Sequence, residues 1–268
     1  MMMMGYPNMF MGPSSPTGGA MYALEDYGAH KMGEKLRQRL AAALARQKDR
    51  EILDQCAAAL EEMKTRLGKE WHIMPFGSWV TGFAVKGSDL DVSCYVPGVS
   101  EEDEKMDAGK VLKDRVSPIV ADLPQFTVTG EIYGARVPIL KLRFNDVLDI
   151  DLSCHNPEPF QNTQLLRAYA QLNSIISDLV IAVKLWAQAE EVHGVSRGFL
   201  SSYTLTLMVI FYLQVEPAIR LPVLQTSAFH GWHGVDPLPY HTWDCPWPLP
   251  HLLFGFFHFY SMDFKWGS

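Results

Sequence analysis

The chain has 268 residues, of which 48% are hydrophobic and 20% charged, and a formal net charge of −7. That length suits one or two domains of roughly 100–200 residues each, and the composition is that of a globular chain with enough apolar material for a sizeable core. The acidic balance excludes a protein that gathers nucleic acid by bulk charge, so any RNA or DNA binding needs a local basic patch or a partner.

Residues 1–20 are rich in Met, Gly, Pro and Ser and read as a disordered tail. No Lys or Arg precedes Lys31, which argues against a secretory signal or transit peptide. A cytoplasmic location is expected, with the mitochondrion and the nucleus left open. Residues 21–67 are helix-rich: Ile52, Leu53, Cys56, Leu60, Met63 and Leu67 recur at helical spacing. Lys31, Lys35, Arg37, Arg39, Arg46, Lys48 and Arg50 make this the most basic region. Charge on an amphipathic helix ordinarily faces water, so a solvated face is favoured over an RNA-facing one.

Gly68 ends the helix, and Trp71 to Pro75 reads as a short strand. The stretch that organises the chain follows, FGSWVTGFAVKGSDLDVSCY from Phe76 to Tyr95. On a strand, residues two apart share a face, so Asp89 and Asp91 lie side by side. Two anions held that close resist joint ionisation, and a divalent cation with hard oxygen ligands relieves the conflict. Gly77-Ser78 upstream offers a tight turn, a hydroxyl and backbone N–H groups of the kind a triphosphate needs. Taken alone, the same stretch also reads as a surface hairpin with two solvated aspartates.

Leu90 to Val96 is a strand stopped by Pro97-Gly98. Ser100 to about Leu123 reads as an acidic helix covering one face of a sheet, with no chemistry assigned. Phe126–Ile132, Arg136–Phe144 and Val147–Ser153 read as strands. In the last of these, VLDIDLS, Asp149 and Asp151 share a face, and one of them could join Asp89 and Asp91. Thr163 to Glu191 reads as one long amphipathic helix, and Ser201 to Val215 as a helix apolar nearly all round. Seven prolines between Glu216 and Pro250 exclude a long helix or central strand there. His251 to Tyr260 returns to helix. The four cysteines are widely spaced, as in a reducing compartment. No apolar run reaches the roughly 18 residues a membrane span needs. The expected fold class is α+β: residues 68–156 form a mixed sheet flanked by helices, and residues 157–268 a mainly helical domain, with the ligand site in the cleft between them.

FGSWVTGFAVKGSDLD, ARVPILKL, DIDLSCHN, QNT, VIAVKLWAQ and SSYTLTLMVIFYL occur in this order. The set resembles the terminal uridylyltransferases and template-independent poly(A) RNA polymerases of the DNA polymerase β-like nucleotidyltransferase superfamily, over roughly Trp71 to Trp266. The resemblance implies a nucleotidyltransferase palm whose Asp89, Asp91 and Asp151 are catalytic and hold two Mg²⁺ or Mn²⁺ ions, with Asp149 a neighbour. It implies that Phe76, Gly77 and Ser78 form the phosphate-side turn, and that Asn156, Asn162 and Thr163 contact ribose and base. Lys184 would neutralise the triphosphate, and Ser202 and Tyr203 would supply a phosphate hydroxyl and an aromatic platform for the base. A lysine on an apolar face such as IAVKLWAQ is costly to bury unpaired; Tyr203 and Trp186 also read as core residues, and Asn156 and Asn162 as helix caps.

The implied activity is transfer of a nucleoside monophosphate to an RNA 3′ end without a template. UTP is the expected donor and ATP the alternative, with a protein partner possible for RNA recruitment and no membrane. Two departures stand out. Gln188 replaces a second lysine one turn after Lys184, and the chain stops near the point where the family carries a base-reading loop. They leave open a catalytically weak nucleotide- or RNA-binding protein. His230, His233, His241 and Cys245 have zinc-ligand chemistry, but their spacing matches no common finger.

Overall fold

The computed structural model describes residues 34–36, 38–40, 42, 47–97, 107–156, 158–194, 197–225, 229 and 243–267. The expected disordered tail, the first turns of the acidic helix, and His230, His233 and His241 lie outside the described residues.

A helix α1 (Gln47–Leu67) leads into strand β1 (His72–Phe76), a single-turn helix α2 (Ser78–Thr81) and strand β2 (Leu90–Tyr95). Then come α3 (Ala108–Val111), a π-helical stretch Leu112–Val116 and α4 (Ser117–Ala121), followed by β3 (Phe126–Ile132), β4 (Ile139–Phe144) and β5 (Leu148–Cys154). The five strands form one sheet in the order β1-β2-β5-β4-β3. Only the β2–β5 pair is parallel; β1–β2, β5–β4 and β4–β3 are antiparallel. The α+β class and the mixed sheet are as the sequence predicts.

The strands form where the apolar alternation puts them. Leu90, Val92 and Cys94 on β2 and Leu148, Ile150, Leu152 and Cys154 on β5 are buried, while the aspartates between them face the other side. The buried face packs on Cys56, Met63 and Leu67 of α1 and on Leu112, Val116 and Val120 of the α3–α4 segment. This segment is the helical cover expected after Ser100. Its first turn starts at Asp107, whose side chain accepts a hydrogen bond from the Lys110 backbone N–H at 3.1 Å.

The long helix expected over Thr163–Glu191 is two helices, α5 (Glu158–Leu172) and α6 (Ser174–Ala189), meeting at 116°. Asn173 makes the break. Its side-chain oxygen accepts from the Ile175 N–H at 3.0 Å, capping α6, and its amide donates to the Trp243 carbonyl at 3.1 Å. A continuous apolar stripe on both segments conceals this corner in the sequence.

α7 (Ser202–Val215), capped by Ser201, and α8 (Leu249–His258) complete the helical part. Their core joins Ile176, Leu179, Val183, Val209, Tyr212, Leu213, Leu252 and Phe256. Phe83 and Val85, from the α2–β2 loop, also belong to this helical core. The loop preceding Asp89 is therefore held by residues more than a hundred positions later. Among the described residues no single helix is long and apolar enough to cross a membrane.

Candidate active site

β1 ends at Phe76, and Gly77 turns the chain into α2 with φ 72°. In the β1–β2 register Phe76 faces Asp91. A Cβ on Gly77 would collide with the Asp91 carboxylate, so only glycine lets the turn lie against it. The Gly77 N–H donates to the Thr163 hydroxyl of α5 at 2.9 Å, and that hydroxyl donates onward to the Pro159 carbonyl at 2.6 Å. The Phe76 ring meets Phe160 of the same helix, with centroids 5.4 Å apart. The turn is thus fastened to the helical part at two points.

The loop from α2 to β2 is pinned by Ser88. Its carbonyl accepts from the Trp79 indole at 3.1 Å, and its hydroxyl accepts from the Val85 N–H at 3.1 Å. This holds Asp89 at the mouth of β2. Asp91 follows on the strand, and the parallel β2–β5 register places it opposite Asp151. Asp89, Asp91 and Asp151 are close enough to act on one another electrostatically. Burial, then repulsion from Asp151, raises the Asp89 carboxyl. Burial, with repulsion from Asp151 and Asp89, pushes the Asp91 carboxyl up to about 7, against the pull of Lys184 and Lys141.

Asp149, the other acidic residue on this face, is paired elsewhere. It accepts both arms of the Arg143 guanidinium at 2.8 and 3.0 Å, which holds its carboxyl below the usual range. Asp151 accepts from the Lys141 ammonium at 2.9 and 3.2 Å. Lys141 and Arg143 lie opposite Asp151 and Asp149 in the β4–β5 register. Arg143 thus engages Asp149, while the β2–β5 register sets Asp151 alongside Asp91. Lys141 was not among the residues singled out from the sequence. ARVPILKL alternates correctly for a strand, but nothing local says which aspartate its lysine will face.

Lys184 of α6 is buried, and its ammonium donates to the Phe83 carbonyl at 2.7 Å. Burial lowers its pKa to about 8, with Asp91 pulling the other way. The costly lysine of the apolar helix face thus has a backbone acceptor and a nearby carboxylate. Ser202 and Tyr203 occupy the first turn of α7 and are exposed, Tyr203 by 43%. Tyr203 is therefore not a core residue. Asn162 is exposed on α5. Asn156 lines a concavity with Asp107, Tyr133, Arg136 and Cys154. Gln188 is exposed on α6. Cys245 donates to the Trp247 carbonyl at 3.5 Å. Among the described residues, no three acidic, histidine or cysteine side chains close into a ready cation cage.

A five-stranded mixed sheet with an acidic row on its open face, backed by a helical part, is the fold of the nucleotidyltransferase superfamily. Residues 32–171 match the family model described as the central palm domain of mitochondrial-like poly(A) RNA polymerase, and the chain belongs to that family. Similar relatives include poly(A) RNA polymerase GLD2 of Rattus norvegicus, 31% identical over 227 residues covering 80% of this chain and 47% of the relative. GLD2-B of Xenopus laevis is 32% identical over 233 residues, covering 80% and 44%. The chain spans about half the length of these curated relatives. Among solved structures, the GLD-2/RNP-8 complex superposes with a TM-score of 0.76 at 25% identity, covering 88% of this chain and 76% of that one. The Cid1 poly(U) polymerase with bound Mg 3′-dATP gives a TM-score of 0.73 at 24% identity, covering 88% and 74%, a likeness of fold.

Proposed function

We propose that this chain is a template-independent RNA 3′-terminal nucleotidyltransferase that uses ATP. The observation that carries the reading is the row formed by Asp91 and Asp151 in register, with Asp89 at its mouth and the Gly77 turn against Asp91. Three mutually repelling carboxylates with hard oxygen donors are a fit for divalent cations. The Asp91 carboxyl is raised first by burial and then by repulsion from Asp151 and Asp89, a repulsion that a bound cation would relieve.

Asp89, Asp91 and Asp151 would hold the metal, Mg²⁺ or Mn²⁺. When bound, such ions activate the RNA 3′-hydroxyl and screen the pyrophosphate that leaves. The 3′-oxygen forms a bond to the α-phosphorus as the bond from that phosphorus to the β-bridging oxygen breaks, and the hydroxyl proton passes to a carboxylate or to water. Ser78 and the Gly77 turn would hold phosphate oxygens, and Lys184 would offset charge beside Asp91. Ser202 would add a hydroxyl to the phosphates, and Tyr203 would stack on the base. Asn162 and Asn156 are assigned to ribose and base on the family pattern. Thr163, assigned to the nucleotide on the family pattern, also accepts from the Gly77 N–H.

ATP is preferred over UTP because the relatives at 31–32% identity are poly(A) RNA polymerases. The experiment is incubation of purified protein with labelled RNA, Mg²⁺ or Mn²⁺, and each NTP separately. Extension by ATP, abolished in Asp91→Ala, supports the assignment. Extension by UTP alone replaces the donor with the uridylyl one. Nucleotide binding with no extension under any metal rejects the enzymatic reading in favour of a binding protein.

A further inference from the structure

Of the three acidic residues in the row, only Asp151 has a cation in direct contact among the described residues. Lys141 reaches both of its oxygens, at 2.9 and 3.2 Å. The contact is built by the sheet rather than reached by a loose side chain. Lys141 lies opposite Asp151 on β4, and the Lys141 stem lies along Gly130 of β3, where a Cβ would stand 3.4 Å from its Cδ. The stem packs over the Gly130 backbone within ordinary van der Waals reach, and its ammonium meets Asp151. Across three strands the row reads Asp91, Asp151, Lys141.

We propose that Lys141 is a built-in counter-ion that occupies Asp151 until a divalent cation displaces it, and that it thereby sets the cation affinity of the site. The inference rests on the carboxylate assignment above. Two features support it. Asp151 already carries an ammonium, while Asp91, opposite it in the register, has none in direct contact among the described residues. The pair is also open to replacement: the side chains are 41% and 23% exposed, so the ammonium can swing into water at little cost. Arg143 and Asp149, two residues along, form the comparison pair. Their bidentate geometry is planar and fixed, and the guanidinium already takes both Asp149 oxygens.

A cation approaching Asp151 meets Lys141 as a competitor and a like charge. Removing the lysine removes both, while substitution by arginine keeps them. The experiment is titration of the purified chain with Mn²⁺ alone, read by calorimetry and by the EPR signal of free Mn²⁺. The proteins are wild type, Lys141→Met, Lys141→Arg and Asp91→Asn. Lys141→Met is expected to bind Mn²⁺ about tenfold more tightly than wild type, the scale of one nearby unit charge at a partly exposed site. Lys141→Arg, whose guanidinium can take both Asp151 oxygens as Arg143 takes those of Asp149, should bind Mn²⁺ no more tightly than wild type, and Asp91→Asn should bind more weakly. Equal or weaker binding by folded Lys141→Met overturns the counter-ion role and leaves the metal site standing. Failure of wild type to bind Mn²⁺ overturns both. A measurement on the wild-type chain does not depend on the variant folding: Mg²⁺ titration followed at the side-chain nitrogen resonance of Lys141. A shift that saturates with Mg²⁺ supports displacement, and an unmoved resonance while Mg²⁺ binds overturns it.

Discussion

The Gly77 N–H donates to the Thr163 hydroxyl at 2.9 Å, across 86 residues of sequence. Gly77 belongs to the turn that lies against Asp91, and Thr163 to the first helix beyond the sheet. The bond ties the two halves together at the point where the chemistry is assigned. Thr163→Val keeps the shape and removes the acceptor, leaving a backbone donor short of a partner. The expected cost is about 1–3 kcal/mol, read from urea denaturation. Nucleotide addition should fall further than stability predicts, because the turn loses its anchor. Thr163→Ser should recover most of both.

Gly77→Ala tests the close approach itself. The new methyl would collide with the Asp91 carboxylate, and the left-handed φ of 72° strains any side chain. The backbone strain alone is worth about 1–3 kcal/mol. The melting temperature should drop, and Mn²⁺ binding should weaken as Asp91 is pushed aside. Wild-type Mn²⁺ affinity in this variant would mean that the turn does not set the carboxylate.

His155 gives a pH dependence of stability. It is 3% exposed, its two ring nitrogens lack hydrogen-bond partners, and it packs edge-on to Trp71 with centroids 5.6 Å apart. Burial lowers its pKa from the ordinary 6.5. The unfolded chain therefore takes up the proton first on acidification. Stability from this residue is whole above pH 6.5 and is lost as the pH falls through that value toward the folded pKa. His155→Phe keeps an aromatic ring and removes the titration. Urea midpoints measured below pH 6.5 should decline less steeply in the variant than in wild type.

Tyr203 separates binding from folding. It is 43% exposed at the start of α7, so Tyr203→Ala should leave the melting temperature nearly unchanged. If the ring stacks on the incoming base, the loss is about 1–3 kcal/mol of nucleotide binding. That appears as a raised KM for the NTP, and Tyr203→Phe should restore it. A large fall in stability with an unchanged KM would assign the ring to packing.

Much of this architecture is legible without coordinates. The alternation in LDVSCY and VLDIDLS puts leucine, isoleucine and cysteine on one face and aspartates on the other, because side chains on a strand alternate. The helix near Ser201 and the tight turn at Gly77 follow from local rules of the same kind, whereas the strand expected from Arg136 begins only at Ile139. The corner at Asn173 is harder to read. An asparagine inside an apolar helical pattern signals a cap only if something beyond the helix takes its amide, and here that is the carbonyl of Trp243, 70 residues away.

The sequence by itself determined that Asp91 alternates with the buried Leu90 and Val92, that Asp149 and Asp151 share a strand face, and that a lysine sits in the apolar face of a helix. These are properties of a single strand or helix, set by its period. Only the tertiary structure decided how those faces meet. The β2–β5 register sets Asp91 opposite Asp151, while the β4–β5 register hands Asp149 to Arg143 and Asp151 to Lys141. Register between strands depends on pairings distant in sequence, and a slip of one residue would turn every one of these side chains to the opposite face. Lys184 meets the Phe83 carbonyl for the same reason, since the helical core closes over the loop before Asp89.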